Sequence, residues 1–202
     1  ELTALLQHSG IVRIHDGGEH YGTPFLAYEL IEGGQSFDDA CANLDREGRL
    51  RLLHQVAVAL GYAHSKGVVH RDVKPANVLV DPSGRSRVAD FGLAWTEDAE
   101  RLTKTGAFVG TPTYMAPEQF LGAKHEDLAP VADVWALGVM LFEALTDTSP
   151  FGGTTLLELA AQVRSGELPS LRGIDKTISK EIEAVCRVAL SKDPAQRYPS
   201  AT

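Results

Sequence analysis

Residues 130–145 are apolar on nearly every side, through Val131, Val134, Trp135, Leu137, Val139, Met140, Leu141, Phe142 and Leu145. A helix without a polar face cannot rest on a surface. It has to run through the interior, with other elements packed around it. Asp133 lies on this segment. A buried carboxylate there needs hydrogen-bonding partners, unless it serves only as a cap in the first turn. Three further segments carry helical periodicity and can cover the central one. Residues 50–64 bring Leu53, Val56, Ala57, Leu60 and His64 to one face, with Gly67 as a C-terminal cap. Residues 155–164 and 179–190 are amphipathic, and Asp193-Pro194 predicts the start of one more helix.

The strand signals are fewer. Residues 11–14 and 25–31 are short apolar runs, and Asp16-Gly17-Gly18 between them predicts a turn. Gly33-Gly34 then marks a loop or hinge, and residues 36–48 are short and polar for a helix. Residues 78–80 and 86–89 form a second hairpin around Asp81-Pro82-Ser83-Gly84. Residues 93–115 show no period, and an ordered loop of that length is usually functional. A few strands followed by a helix-rich body is an α+β arrangement without a Pro/Gly/Ser linker or internal repeat.

The 202 residues suffice for one sizeable core, at 44% hydrophobic and 23% charged. A net charge of −8 argues against nucleic acid or an anionic membrane as a general partner. Cys41 and Cys186 match no metal spacing and read as small buried hydrophobes in a reducing compartment. No apolar run is long enough to span a bilayer, and the start does not resemble a signal peptide. Both ends fall inside apparent structure, so the natural protein is expected to be longer.

The chemistry concentrates in His70-Arg71-Asp72-Val73-Lys74-Pro75-Ala76-Asn77, set between a helix and a strand. Asp72 can take a proton from an attacking hydroxyl, Lys74 can face a phosphate, and Asn77 offers a carbonyl oxygen suited to Mg²⁺. Asp90-Phe91-Gly92 ends the second hairpin with another potential Mg²⁺ carboxylate. Gly110-Thr111-Pro112-Thr113-Tyr114-Met115-Ala116-Pro117-Glu118 closes the long loop, Asp133-Val134-Trp135-Ala136-Leu137-Gly138 opens the buried helix, and Arg197 follows near the end.

In this order the motifs resemble the protein kinase family, and most of all the bacterial eukaryotic-like serine/threonine kinases, from Glu1 to Thr202. The resemblance implies a kinase-like fold. Residues 1–34 would be the end of the N-terminal β lobe with the hinge, and residues 35–202 the helical C-terminal lobe. It implies ATP and Mg²⁺ as cofactors and protein serine or threonine hydroxyls as acceptors. Asp72 would be the catalytic base, Lys74 would contact the transferred phosphate, and Asn77 and Asp90 would hold Mg²⁺. Thr111 would bond into the Asp72–Lys74 pair and help admit Ser or Thr. His70, Phe91 and Asp133 would support the loop, and Glu118 would pair with Arg197. Tyr28 would stand at the back of the adenine pocket, bulky for that place. Glu29 to Ile31 would present backbone to adenine, Leu79 would lie beneath it, and Gln35 would sit near the ribose. Lys74 with Gly110-Thr111-Pro112 favours Ser/Thr over Tyr. Arg71 would pair with a phosphate on Thr103 or Thr105, an activation by autophosphorylation.

The resemblance also implies parts that these residues do not contain: a glycine-rich loop, a strand lysine and a helix glutamate. Alone, the stretch is therefore expected to be inactive, and a homodimer would use the absent lobe. The kinase domain would be cytoplasmic, with any membrane anchor elsewhere in the protein. His8-Ser9-Gly10 replaces the usual His-Pro-Asn. Two rival functions remain. A pseudokinase scaffold would usually have lost Asp72, Lys74, Asn77 or Asp90. An aminoglycoside-type small-molecule kinase would usually lack Lys74 and Ala116-Pro117-Glu118.

Overall fold

The computed structural model describes residues 6–91, 112–122 and 129–201. The first hairpin pairs β1 (Ile14–His20) with β2 (Thr23–Tyr28) in antiparallel register. Its turn is not at Asp16-Gly17-Gly18, which lie inside β1 opposite Ala27, Leu26 and Phe25. The turn is Tyr21-Gly22, with φ +50 and +79. Two positive φ angles match the twist of paired strands, and glycine supplies the second at no steric cost. Ile11 is not in the hairpin either, but makes an isolated parallel bridge to Val88.

A second sheet has the order β3 (Gln35–Ser36), β4 (Val78–Val80), β5 (Ser86–Val88), all antiparallel. Helix α1 (Phe37–Ala42) starts where β3 ends, because the Ser36 hydroxyl accepts the Asp39 N–H at 3.1 Å. Helix α2 (Arg46–Ser65) is capped by Asp45, which accepts the Gly48 N–H at 2.8 Å, and stops at Gly67, φ +74.

Helix α3 (Pro117–Phe120) is a single turn, and α4 (Pro130–Thr146) is the long apolar helix. Around it lie α5 (Leu156–Ser165), α6 (Leu171–Ile174) and α7 (Lys180–Ala189). The hydroxyls of Thr155 and Ser179 cap α5 and α7 where the sequence predicts their starts. Asp193-Pro194 opens only a 3-10 turn, Pro194–Gln196, rather than a helix. Asp193 caps it, but Arg197 is already extended and another proline follows at Pro199.

Two apolar clusters meet on α4. Ala136 and Met140 join Leu53, Val56 and Leu60 of α2 with Val78, Val80 and Val88 of the second sheet. Trp135, Val139, Phe142 and Leu145 join Leu159 and Val163 of α5, Leu171 of α6 and Cys186 of α7. Each large side chain so buried contributes about 1.5–3 kcal/mol. The helix is apolar all round because both flanks are core. Both cysteines are free thiols. Burial pushes Cys41 up to about 11 and Cys186 up to about 12, so both are held as neutral thiols.

Candidate active site

The loop between α2 and β4 is built on Asp133, which is 1% exposed on the first turn of α4. Its carboxylate accepts three N–H groups: His70 backbone at 2.8 Å, Arg71 backbone at 2.7 Å and His64 Nε2 at 2.8 Å. His64 Nδ1 accepts the Ala201 N–H, so the ring is the tautomer that donates from Nε2. His70, fully buried, has the same tautomer. It accepts the Asp72 N–H at Nδ1 (3.2 Å), donates from Nε2 to the Ala89 carbonyl (2.8 Å), and packs on Phe91 with ring centroids 4.6 Å apart. A neutral imidazole thus fixes both the entry to Asp72 and the residue before Asp90. Arg71 and Asp90 both adopt left-handed backbone, φ +73 and +59. Such strain costs about 1–3 kcal/mol per residue and persists only where the surroundings dictate it.

Asp72, half-buried, faces two donors. Lys74 Nζ lies 2.6 Å from Oδ2, and Asn77 Nδ2 lies 3.0 Å from the same oxygen and 2.7 Å from the Asp72 carbonyl. Asn77 therefore spends its amide nitrogen on Asp72 and keeps its carbonyl oxygen for another partner. Its backbone carbonyl accepts the Ala89 N–H at 2.9 Å, which ties Asn77 to the segment carrying Asp90. The donor set, an amide oxygen and a carboxylate, is hard and all-oxygen. Among the described residues no group of three His, Cys, Asp or Glu could cage a metal. The pair suits a Mg²⁺ that keeps waters and takes phosphate oxygens, so these residues fit the implied ion.

Val78 and Val80 are buried in the core, while half-buried Leu79 faces the opposite side. Gln35, exposed, pairs with Val80 beside it. The Glu29 N–H donates to the Arg13 carbonyl, and its carboxylate accepts from Arg87 at 2.8 Å. The Ile31 carbonyl accepts the Gly34 N–H at 3.0 Å and closes a turn. Burial and the neighbouring Asp90 hold the Tyr28 phenol well above its ordinary pKa, so it stays protonated.

On the far side of the loop, Arg197 and Glu118 form a bidentate pair at 2.7 and 2.8 Å. Arg197 also donates to the carbonyls of Ser191 and Val131 and lies over the Trp135 ring at 5.0 Å. Its buried charge is thus fully partnered. Tyr114 donates to Glu143 at 2.9 Å, and burial raises both groups. Thr103, Thr105, Thr111 and Gly92 lie outside the described residues.

Two contacts escape the sequence reading. His64 stands out only as a polar residue on an apolar face of α2. Gln119, 7% exposed, joins the backbone of Ala116 and Arg71. A polar residue directly after Pro117-Glu118 gives no local hint of burial.

The protein kinase domain profile matches residues 1–202. The chain belongs to the protein kinase domain family. Among curated relatives, the serine/threonine-protein kinase PknA of Mycobacterium tuberculosis is 38% identical over 209 residues, covering 98% of this chain and 46% of PknA. The serine/threonine-protein kinase PrkC of Bacillus subtilis is 33% identical over 198 residues, covering 97% of this chain and 30% of PrkC. This kinase-family chain thus spans less than half the length of either. Among solved structures, Rad53 1-466 in complex with AMP-PNP superposes with a TM-score of 0.78 at 27% identity, over 99% of this chain and 50% of that one. The α+β kinase-like fold follows from that likeness.

Proposed function

We propose that these residues are the larger part of a serine/threonine protein kinase catalytic domain, with residues 1–34 closing its N-terminal lobe and residues 35–202 forming its C-terminal lobe. The observation that carries the proposal is the Asp72 carboxylate with Lys74 and Asn77 at 2.6 and 3.0 Å, on a loop locked to α4. In the reaction, a substrate serine or threonine oxygen bonds to the γ-phosphorus of ATP while the bond to the β–γ bridging oxygen breaks and ADP leaves. Asp72 orients the hydroxyl and takes its proton. Lys74 neutralises charge on the transferred group, and its ion pair fixes where the acceptor oxygen stands. Asn77 and Asp90 would hold Mg²⁺, which supplies charge neutralisation on the phosphates. Leu79, Gln35 and the backbone of Glu29 to Ile31 would receive the nucleoside, and Tyr28 would bound its pocket. Thr111 would select the hydroxyl acceptor.

Arg71 beside Asp72, with Thr103-Lys104-Thr105 in the long segment of residues 93–115, supports activation by autophosphorylation. A phosphothreonine adds about −1.5 to −2 charge for the guanidinium to meet. Without a glycine-rich loop and strand lysine, the 202-residue stretch by itself is expected to turn over negligibly. Acceptors are proteins rather than nucleic acid, and a homodimer would form through the N-terminal lobe. The reading includes a cytoplasmic kinase domain, with any membrane anchor elsewhere in the protein. No helix among the described residues is long and apolar enough to cross a membrane.

The test uses the full coding sequence with Mg²⁺, ATP and a generic acceptor protein, and maps phosphate by mass spectrometry. Phosphate on serine and threonine, Thr103 or Thr105 included, that falls by about 10³-fold in Asp72→Asn supports the proposal. Equal incorporation in Asp72→Asn, or none in either protein, contradicts it.

A further inference from the structure

Arg71 is in left-handed backbone immediately before Asp72. Its N–H is held by Asp133. The next peptide plane contains the Arg71 carbonyl and the Asp72 N–H. His70 Nδ1 accepts that N–H at 3.2 Å. Gln119 Nε2 donates to that carbonyl at 3.1 Å. The peptide plane that delivers Asp72 is therefore gripped at both ends by side chains, one from its own loop and one from α3.

The other end of the Gln119 amide faces the Ala116 N–H, which it accepts through Oε1 at 2.8 Å. These partners allow one orientation only, because a backbone N–H requires the oxygen and a carbonyl requires the nitrogen. Gln119 is 7% exposed, so both bonds lie in a largely desolvated setting. The space left where Arg71, Asp72, Gln119 and Asp133 meet is about 20 Å³, room for about one water. Ala116-Pro117-Glu118 is in turn clamped by Arg197. A continuous path runs from the Arg197–Glu118 pair, through α3 and the Gln119 amide, to the peptide plane of Asp72.

We propose that Gln119 is a positioning residue for Asp72, coupling the Ala116-Pro117-Glu118 segment to the orientation of the catalytic carboxylate. Its effect on the reaction rests on the kinase proposal above; the contact does not. Movement of the segment reaches Asp72 because a single primary amide supplies both the donor and the acceptor. A methionine of similar length supplies neither. A glutamate at neutral pH keeps the acceptor for Ala116 but offers no donor to Arg71.

The experiment compares wild type, Gln119→Met and Gln119→Glu, each in the full coding sequence. Exchange of the Asp72 amide is followed by NMR, and kcat and KM for ATP by phosphate transfer. In both variants the Asp72 amide is expected to exchange about tenfold faster, kcat to fall about tenfold, and KM for ATP to stay within about twofold. The Ala116 amide is expected to lose protection only in Gln119→Met. Should Gln119→Met fail to fold, Gln119→Glu, which keeps the α3 cap, decides the matter. Unchanged Asp72 exchange overturns the proposal whether or not the protein phosphorylates anything. Faster exchange with unchanged kcat overturns the coupling to the reaction. Absence of transfer in wild type refutes the kinase proposal, while the exchange arm still judges the contact.

Discussion

The β1–β2 hairpin and the loop of residues 70–77 invert the usual expectation about strands and loops. The hairpin is regular, yet nearly all of β1 and half of β2 are exposed, with Tyr21 at 95%. Its ladder is its main support, and a two-stranded ribbon alone is marginal in water. The loop has no α-helix or strand, only a 3-10 turn at Pro75–Asn77, yet His70, Val73, Pro75 and Asn77 are buried. The backbone donors at its start end on side chains: Asp133 for His70 and Arg71, and His70 for Asp72. Rigidity here comes mainly from buried, hydrogen-bonded polar groups and not from helix or strand. Groups that must hold a proton acceptor to within a fraction of an ångström belong on the second kind of segment.

The sharpest way to break this comparison acts on the body. Arg197→Ala leaves Glu118 without its buried cation, and about 3–5 kcal/mol of stability should be lost. Urea denaturation measures this as a lower midpoint. A loss below about 1 kcal/mol would mean that the pair behaves like a surface ion pair. The hairpin should respond far less. Gly22→Ala places a side chain at φ +79 and should cost about 1 kcal/mol. Its effect should be confined to amides of residues 14–28, so equal loss of protection in α2 would show that the hairpin and body unfold as one unit.

The smallest effect concerns acid. Backbone and side-chain hydrogen bonds from Thr177, with Arg46, lower Asp175 from 3.8 to about 2. A depressed carboxylate contributes stability that is present above its unfolded pKa and lost as pH falls through the folded one. Wild type should therefore lose stability between about pH 4 and pH 2, and Asp175→Asn should flatten that part of the curve. An unaltered acid limb in thermal melts at stepped pH would remove Asp175 from the account.

What the sequence disclosed and what it concealed divide along the same physical line. The buried helix α4 was legible because its apolarity is a property of consecutive residues. The starts of α5 and α7 were legible from helical periodicity, and Thr155 and Ser179 there prove to be their caps. His70 to Asn77 could be read as a chemical unit because its residue types are contiguous. The first turn was misplaced because Asp16-Gly17-Gly18 is a stronger local turn signal than Tyr21-Gly22, and cross-strand register decided against it. Asp193-Pro194 carries a valid start signal, but Pro199 leaves no room to propagate a helix. His64 meeting Asp133 and Ala201, and Gln119 meeting Arg71, join residues far apart in the chain. Such contacts leave no trace in any short window.

Native-state hydrogen exchange on the full coding sequence tests the central claim, that the loop bearing Asp72 is set by the body before substrate arrives. The account predicts that the His70 and Arg71 amides exchange only with global unfolding, while amides of β1 and β2 exchange through local opening at far lower cost. Loop amides that exchange as readily as those of the hairpin would contradict it.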